Sequence, residues 1–528
     1  MTIREQLAVR LRGLGWGGGL VRDVLVIAGA TATCRVFGLF RDVVIADRFG
    51  ASAAYDAYII AFFVPHMLRQ LLAEGALSTA FVPIYTGYLA RGREEADRFA
   101  SVVLSAALIL FPFVIGLGAW LAPWYLPFLA SGFSPEKLHL TVSLTWVTLP
   151  FIGLVGVAAI FMGVLNGQRQ FLAPALAPVL FDLGLIVGAW PVAAKLAQPA
   201  FGLAWGVLLG GAGMLLFQLC FLRGRLHFAF GLELGHEGLR ELGRMMLPAV
   251  VGLAGVQVNL LVDNKLASHL GDGAISSMQY AIRLFQLPLG VFAISIANAL
   301  LPRLSERAVS EDLEGLSRAL QRGLLLGALV LFPAVIGLYA LGRPTIELLF
   351  EHGRFTPADT ARTLAALNFY LFGVIGYGGV FLLSRAFYAL RDTRTPVAVG
   401  FLGVALNVGL DYALVGPLGL RGLALATSVS GLVNMAVLLG LIGRRLGSGR
   451  ELVAPLAERL GKLFLAAVAM GALVFLSQRG LAAALESRFA LVALPVLIGL
   501  VSYPLFLRLA GLSLSRLEER EALTRTRA

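Results

Sequence analysis

ALILFPFVIGL at residues 107–117 returns as ALVLFPAVIGL at residues 328–338. Each run is uncharged, carries one proline and one glycine, and belongs to an apolar stretch near the ~20 residues a helix needs to cross a bilayer. The likeness continues on both sides: GFSP (132–135) aligns with RFTP (354–357), and FVPIY (81–85) with LLPRL (300–304). A spacing of about 220 residues covers six predicted spans, and an even number of crossings preserves orientation. The two copies are therefore expected as parallel lobes related by a pseudo-twofold axis along the membrane normal.

Composition agrees with that reading. The 528 residues are 58% hydrophobic and only 14% charged, with a mean hydropathy of +0.83, far from the roughly one-quarter charged content of soluble domains. Apolar runs between charged, Gly or Pro breaks predict fourteen transmembrane helices in an all-α integral membrane protein. They lie near 22–48, 54–90, 97–130, 137–166, 173–196 and 200–222, then 239–269, 274–302, 316–342, 358–391, 394–415 and 419–443, and finally 457–478 and 489–512. The expected organisation is a basic N-terminal tail (1–21), an N-lobe (22–222), a C-lobe (239–443), two helices outside the repeat (457–512) and a C-terminal tail (513–528). Placing both tails and the even-numbered gaps on one side gathers most of the 43 Lys and Arg residues there, so both termini are expected in the cytoplasm. The basic N-terminus followed by an apolar run has the outline of a signal peptide. It lacks an A-x-A-like exit, and a retained first helix is expected instead.

Several function classes fall away. The net charge of +12 is dispersed over short loops rather than gathered in a patch, which excludes a nucleic-acid surface. Cys34 and Cys220 offer neither a disulfide framework nor metal spacing. No G-x-x-x-x-G-K-[ST], H-E-x-x-H or nucleophile elbow occurs, so no built-in ATPase and no covalent catalysis is expected; the protein is not expected to be an enzyme. GLGWGG (13–18) fits G-x-G-x-x-G, but no strand precedes it, and it reads as tail.

What remains informative is charge inside apolar helices, which costs on the order of 2.5–3.5 kcal/mol when it faces lipid and so turns toward protein or a wet cavity. The first span carries Arg35, Arg41 and Asp42; the second Asp56, His66, Arg69 and Glu74; the seventh Asp263 and Lys265; the eighth Arg283; the tenth Arg385; the eleventh Asp411. Arg35 and Asp42 fall seven residues apart, nearly on one helical face, which leaves open a pair between them. Arginines from both lobes, if they line one cavity, would select an anionic ligand, because the guanidinium forks onto phosphate or carboxylate oxygens. A structural ion pair is the alternative for any one of them. In the eleventh span Asn407 and Asp411 sit four apart on one face. With Thr427 and Asp263 they could hold a hard cation through oxygen, or could equally pair for packing.

The block ATCRVFGLFRDVVIADRFG (32–50), with AAYDAYIIAFFVPHMLRQLLAEGALSTAFVPIY (53–85), resembles the N-terminal signature of the MurJ (MviN) lipid II flippases of the multidrug/oligosaccharidyl-lipid/polysaccharide exporter superfamily. SMQYAIRLFQLPLGVFAISIANALLPRLS (277–305), LFEHGRFTPADT (349–360) and FYALRDTRTPV (387–397) extend the likeness along essentially the whole chain. The resemblance implies fourteen helices with cytoplasmic ends in the bacterial inner membrane, and transport of lipid II to the periplasmic leaflet. It implies a cationic cavity at Arg41, Arg69 and Arg283, with Arg35 nearby, Asp42 orienting Arg41, and acidic positions at Asp56 and Glu74. It also implies a prenyl-tail groove along the last two helices. In some members the second lobe binds Na+, and the matching positions are Asp263, Asn407, Asp411, Thr427 and the carbonyl near Leu423; no other cofactor is implied. Membrane lipids and cell-wall synthesis proteins are the remaining expected partners. Two departures stand out: Gln70 where many members carry a second arginine, and Ile282 where some carry an acid. A flippase for another lipid-linked oligosaccharide and a non-transporting scaffold for cell-wall assembly are the competing readings.

Overall fold

Leu, Ala, Val and Ile dominate the runs between Gly and Pro breaks, and with no water to satisfy backbone groups in a bilayer such runs must close their hydrogen bonds internally as helices. A computed structural model, in which residues 18–71, 77–233, 235–447 and 449–512 are described, has this all-helical character. In chain order the helices are α1 (Gly18–Phe49), α2 (Ala53–Leu68), α3 (Ser78–Arg91), α4 (Arg93–Leu129), α5 (Pro135–Thr148), α6 (Phe151–Gly167), α7 (Leu172–Val187), α8 (Ala200–Leu222) and α9 (Glu237–Ala267). They continue as α10 (Ala274–Pro288), α11 (Ile294–Val309), α12 (Leu313–Ala340), α13 (Gly342–Leu349), α14 (Pro357–Ala389), α15 (Arg394–Leu418), α16 (Leu420–Arg445), α17 (Gly449–Ala482) and α18 (Arg488–Leu509).

Among the described residues, eleven helical segments are long and apolar enough to cross a membrane, from Arg93–Leu129 to Arg488–Leu509. The three other predicted crossings coincide with α1, with α2 and α3, and with α9, which carry much of the intramembrane charge. α4 has 37 residues, about 55 Å at 1.5 Å per residue against a hydrocarbon core of about 30 Å. Its first turns therefore project beyond the core. There Asp97, Ser101 and Ser105, spaced four apart on one face, accept from the backbone amides of His227, Ala229 and Gly231, each at 3.2 Å. Farther along, Leu110, Phe113, Trp120 and Trp124 are exposed, as a lipid-facing stripe with an aromatic end should be.

The chain forms two compact units, Met1–Gln257 and Val258–Ala528, and one turn recurs in both at the spacing of the sequence repeat. Gly50 follows α1 with φ of 58°, and Gly271 follows α9 and its terminal 3-10 turn with φ of 88°. Both adopt the left-handed region that a side chain disfavours, and at each the chain turns into the next helix, at Ala53 or at Ala274.

In the first unit α7 lies against α8 through glycine. A Cβ on Gly188 would meet Gly206 Cα at 2.6 Å, and one on Gly206 would meet the Gly184 carbonyl at 2.8 Å. Small residues let helix backbones approach this closely in a bilayer, where packing rather than hydrophobicity drives association. Gly206→Leu should pry the two helices apart at a cost of about 1–3 kcal/mol or more. A lowered melting temperature of the purified protein would report it, whereas Gly213→Leu, whose nearest neighbour is the Leu180 side chain at 3.4 Å, should be milder.

In the second unit Leu300, Leu304, Leu316, Leu320, Leu383 and Phe387 build a core shared by α11, α12 and α14. The C-terminal pair α17 and α18 shares a separate core with α12 through Leu325, Leu463, Met470, Val474 and Tyr503. Two of the family-like motifs are corners of this unit. Asp392 in FYALRDTRTPV accepts from the Thr395 amide at 3.0 Å and hydroxyl at 2.8 Å, and pairs with Arg445 at the end of α16. In LFEHGRFTPADT, Thr356 and Asp359 form a capping box at the start of α14. Arg488 donates to the Glu351 carbonyl at 2.7 Å, and Thr360 to the Glu351 carboxylate at 2.6 Å.

Candidate functional site

The charge placed in the middle of α1 is matched within the first unit. Arg41 donates through Nε and Nη2 to Asp42 Oδ1 at 3.0 and 2.7 Å, and through Nη1 to Asp182 Oδ1 of α7 at 2.6 Å. Its side chain is 12% exposed, and both acids are buried. Ionised groups this deep are sustained only by short charge-assisted bonds to one another. Asp42 thus stands where it can orient Arg41, and a second carboxylate shares the task. Cys34, two turns earlier on α1, donates Sγ–H to the Ala175 carbonyl of α7 at 3.3 Å, so α1 is tied to α7 at two levels.

Arg69 sits at the C-terminal cap of α2, its guanidinium carbon 5.9 Å from the centre of the Phe181 ring. Phe181 packs in turn against Phe62 and Phe151 at 6.1 and 5.3 Å between ring centres. Gln70, the departure from the family's arginine, joins a chain of side chains: its Nε2 lies 3.2 Å from His66 Nε2, and its Oε1 accepts from Gln257 Nε2 at 2.7 Å. Arg35 is exposed on α1. Glu74 lies outside the described residues, as do residues 1–17 of the N-terminal tail and all of the C-terminal tail.

Asp56 has a different environment. It is 0% exposed and bonds Lys137 Nζ of α5 at 2.9 Å, while the ammonium also lies 4.0 Å from the centre of the Phe133 ring. Thr141, Thr145 and Thr148 return their hydroxyls to carbonyls along the same buried face. A carboxylate so enclosed joins α2 to α5.

In the second unit Arg283 is half-buried on α10, next to the half-buried Ile282. Asp263, Asn407 and Asp411 are almost fully buried. Apart from the contact between the two carboxyl groups, Oδ1 of Asp263, both carboxylate oxygens of Asp411 and both amide atoms of Asn407 have no hydrogen-bond partner among the described residues. Asp263 and Asp411 are close enough to act on each other electrostatically. Thr427 donates to the Leu423 carbonyl at 3.1 Å, which places those two oxygens side by side on α16. Buried oxygens without donors are costly, and a hard cation ligated by carboxylate, amide and carbonyl oxygen satisfies them. The donor set therefore fits such an ion, with two carboxylates and no His or Cys.

Two residues in these clusters escaped the sequence reading, Asp182 and Lys137. Asp182 is the lone acid of an apolar helix, and the cost of intramembrane charge is the signal that could have found it. Lys137 sits in the first turn of α5, where a basic residue reads as a solvated helix end.

The described residues form an all-helical, multi-span membrane protein whose interior holds arginine and aspartate. Its fold is shared with an inward-facing MATE-family multidrug transporter of the MOP superfamily, at a TM-score of 0.66 and 18% identity over 79% of this chain and 96% of that one. A structure of the lipid II flippase MurJ in an inward closed conformation matches at a TM-score of 0.77 and 27% identity, over 91% of this chain and 98% of the other. The family profile described as "Lipid II flippase MurJ" matches residues 45–493. The chain belongs to that family, and so to transporters rather than enzymes. Among its relatives, a probable lipid II flippase MurJ of Vibrio cholerae is 35% identical over 79% of this chain and 82% of its own length. A lipid II flippase MurJ of Burkholderia cenocepacia is 34% identical over 79% and 83%. A probable lipid II flippase MurJ of Thermotoga maritima is 32% identical over 94% and 98%.

Proposed function

We infer that this protein is a lipid II flippase that carries the undecaprenyl-pyrophosphate-linked peptidoglycan precursor from the cytoplasmic to the periplasmic leaflet. In this reading fourteen helices form two parallel six-helix lobes and a C-terminal pair, both termini are cytoplasmic, and alternating access moves the headgroup past the midplane. The observation that carries it is the pair of arginines held inside the first unit, Arg41 on two carboxylates and Arg69 over an aromatic ring, in a chain of this family. Guanidinium groups bind pyrophosphate oxygens through planar forks, and at Arg41 the substrate has to compete with a carboxylate for that fork. Arg283 supplies the second lobe's cation, Na+ occupies the oxygen cradle of Asp263, Asn407, Asp411, Leu423 and Thr427, and the prenyl tail runs along α17 and α18.

In proteoliposomes, Arg69→Ala and Arg283→Ala should each slow lipid II translocation about tenfold or more, the loss expected for a charge-assisted phosphate contact. Expression and melting temperature should hold. Wild-type rates in both variants would overturn this mechanism, and translocation of a different polyprenyl-linked saccharide in place of lipid II would reassign the substrate.

A further inference from the structure

The two arginines of the first unit meet one dipeptide. Phe181 faces the Arg69 guanidinium at 5.9 Å, and Asp182 Oδ1 takes Arg41 Nη1 at 2.6 Å. Neighbouring residues on a helix point about 100° apart, so one step of α7 serves arginines arriving from α1 and from the end of α2.

Arg41 has five N–H donors in a fixed fork. The Nε and Nη2 edge is on Asp42 and Nη1 is on Asp182, so a phosphate seeking two parallel bonds must displace a carboxylate. The two acids are not equivalent. Asp42 is the next residue on the same helix and travels with Arg41, whereas Asp182 belongs to α7, which is seated on α8 by the close glycine contacts at Gly184 and Gly188. Gly38 leaves the α1 face open toward Asp182, since a Cβ there would lie 3.6 Å from Asp182 Oδ2. The repeat offers a contrast in the second unit. Asp263 stands at the repeat spacing from Asp42, but the residue before it is Val262, so that lobe has no tethered guanidinium at the corresponding place.

We propose that Asp182 is a positioning residue for transport: it holds Arg41 in the unloaded carrier and competes with the substrate's phosphate oxygens for the same guanidinium. The competition lowers affinity, because a phosphate that takes Arg41 leaves a buried carboxylate less well paired. It also assists release, because Asp182 recaptures the guanidinium as the phosphate leaves. The proposal rests on the pyrophosphate-carrier reading but not on which saccharide is attached.

The test is a double-mutant cycle on equilibrium binding of undecaprenyl pyrophosphate, the moiety common to lipid II and other polyprenyl-linked saccharides, with lipid II translocation measured in parallel. Asp182→Asn keeps the shape and removes the charge. It should tighten binding about tenfold and slow translocation, with a smaller loss of melting temperature than Arg41→Ala, since Asp42 stays on the guanidinium. In an Arg41→Ala background the same substitution should leave binding unaltered, and Asp182→Glu should restore the weaker affinity. Unchanged or weakened binding in Asp182→Asn, or an equal gain in the Arg41→Ala background, would overturn the proposal. If the cycle holds with undecaprenyl pyrophosphate while wild-type protein fails to move lipid II, the substrate reading falls and this one stands. If the wild type binds no undecaprenyl pyrophosphate, both fall.

Discussion

Lys137→Ala is expected to destabilise the first unit by about 3–5 kcal/mol, the usual cost of removing one member of a buried ion pair. The lysine is 8% exposed and its partner Asp56 0%, so water cannot replace the lost ammonium, and the Phe133 ring loses its cation as well. Asp56→Asn should cost less, since an amide is cheaper to bury than a carboxylate. The combination Asp56→Asn with Lys137→Met should recover most of the stability, because an apolar side chain of similar length removes both charges together. Melting temperatures in detergent across the four proteins would measure this. A full loss in the double variant would show that the pair matters through something other than its charge. The same cycle addresses function: if Asp56 is structural, transport should follow stability, and the double variant should transport.

Sodium dependence is the second large effect. On the Na+ reading proposed above, a cation held at Asp263, Asn407 and Asp411 should stabilise the folded chain by RT ln(1 + [L]/Kd), about 2.7 kcal/mol at a concentration 100 times Kd. Exchanging choline for Na+ at constant ionic strength should raise the melting temperature of the wild-type protein in proportion to the logarithm of the Na+ concentration. Asp411→Ala should abolish that slope. In choline alone it should be no less stable than the wild type, because the variant no longer buries two carboxyl groups against each other. A sodium response that persists in Asp411→Ala would remove this residue from the ligand set.

The positions of the apolar segments were legible because bilayer-spanning helices satisfy their backbone locally, so hydropathy summed along the chain identifies them. The eleven strongly apolar segments lie where the sequence puts them, and the remaining predicted crossings coincide with helices rich in charge. The corner at Thr356 with Asp359 could have been read as a helix cap from its spacing alone.

Sequence alone therefore determined that this chain is a helical membrane protein, where its helices run, and which of them carry charge. Tertiary structure decided which charges meet. Arg41 finds Asp182 across 141 residues, and Asp56 finds Lys137 across 81. Neither spacing has a periodicity that could announce it, and Asp182 escaped notice although it is the one acid in α7. The physical reason is that helix formation is settled within a few residues of chain, whereas the partner of a buried charge is settled by which helix faces pack together. That choice is made by glycines and ring contacts on α7 and α8, far in sequence from the arginines they position.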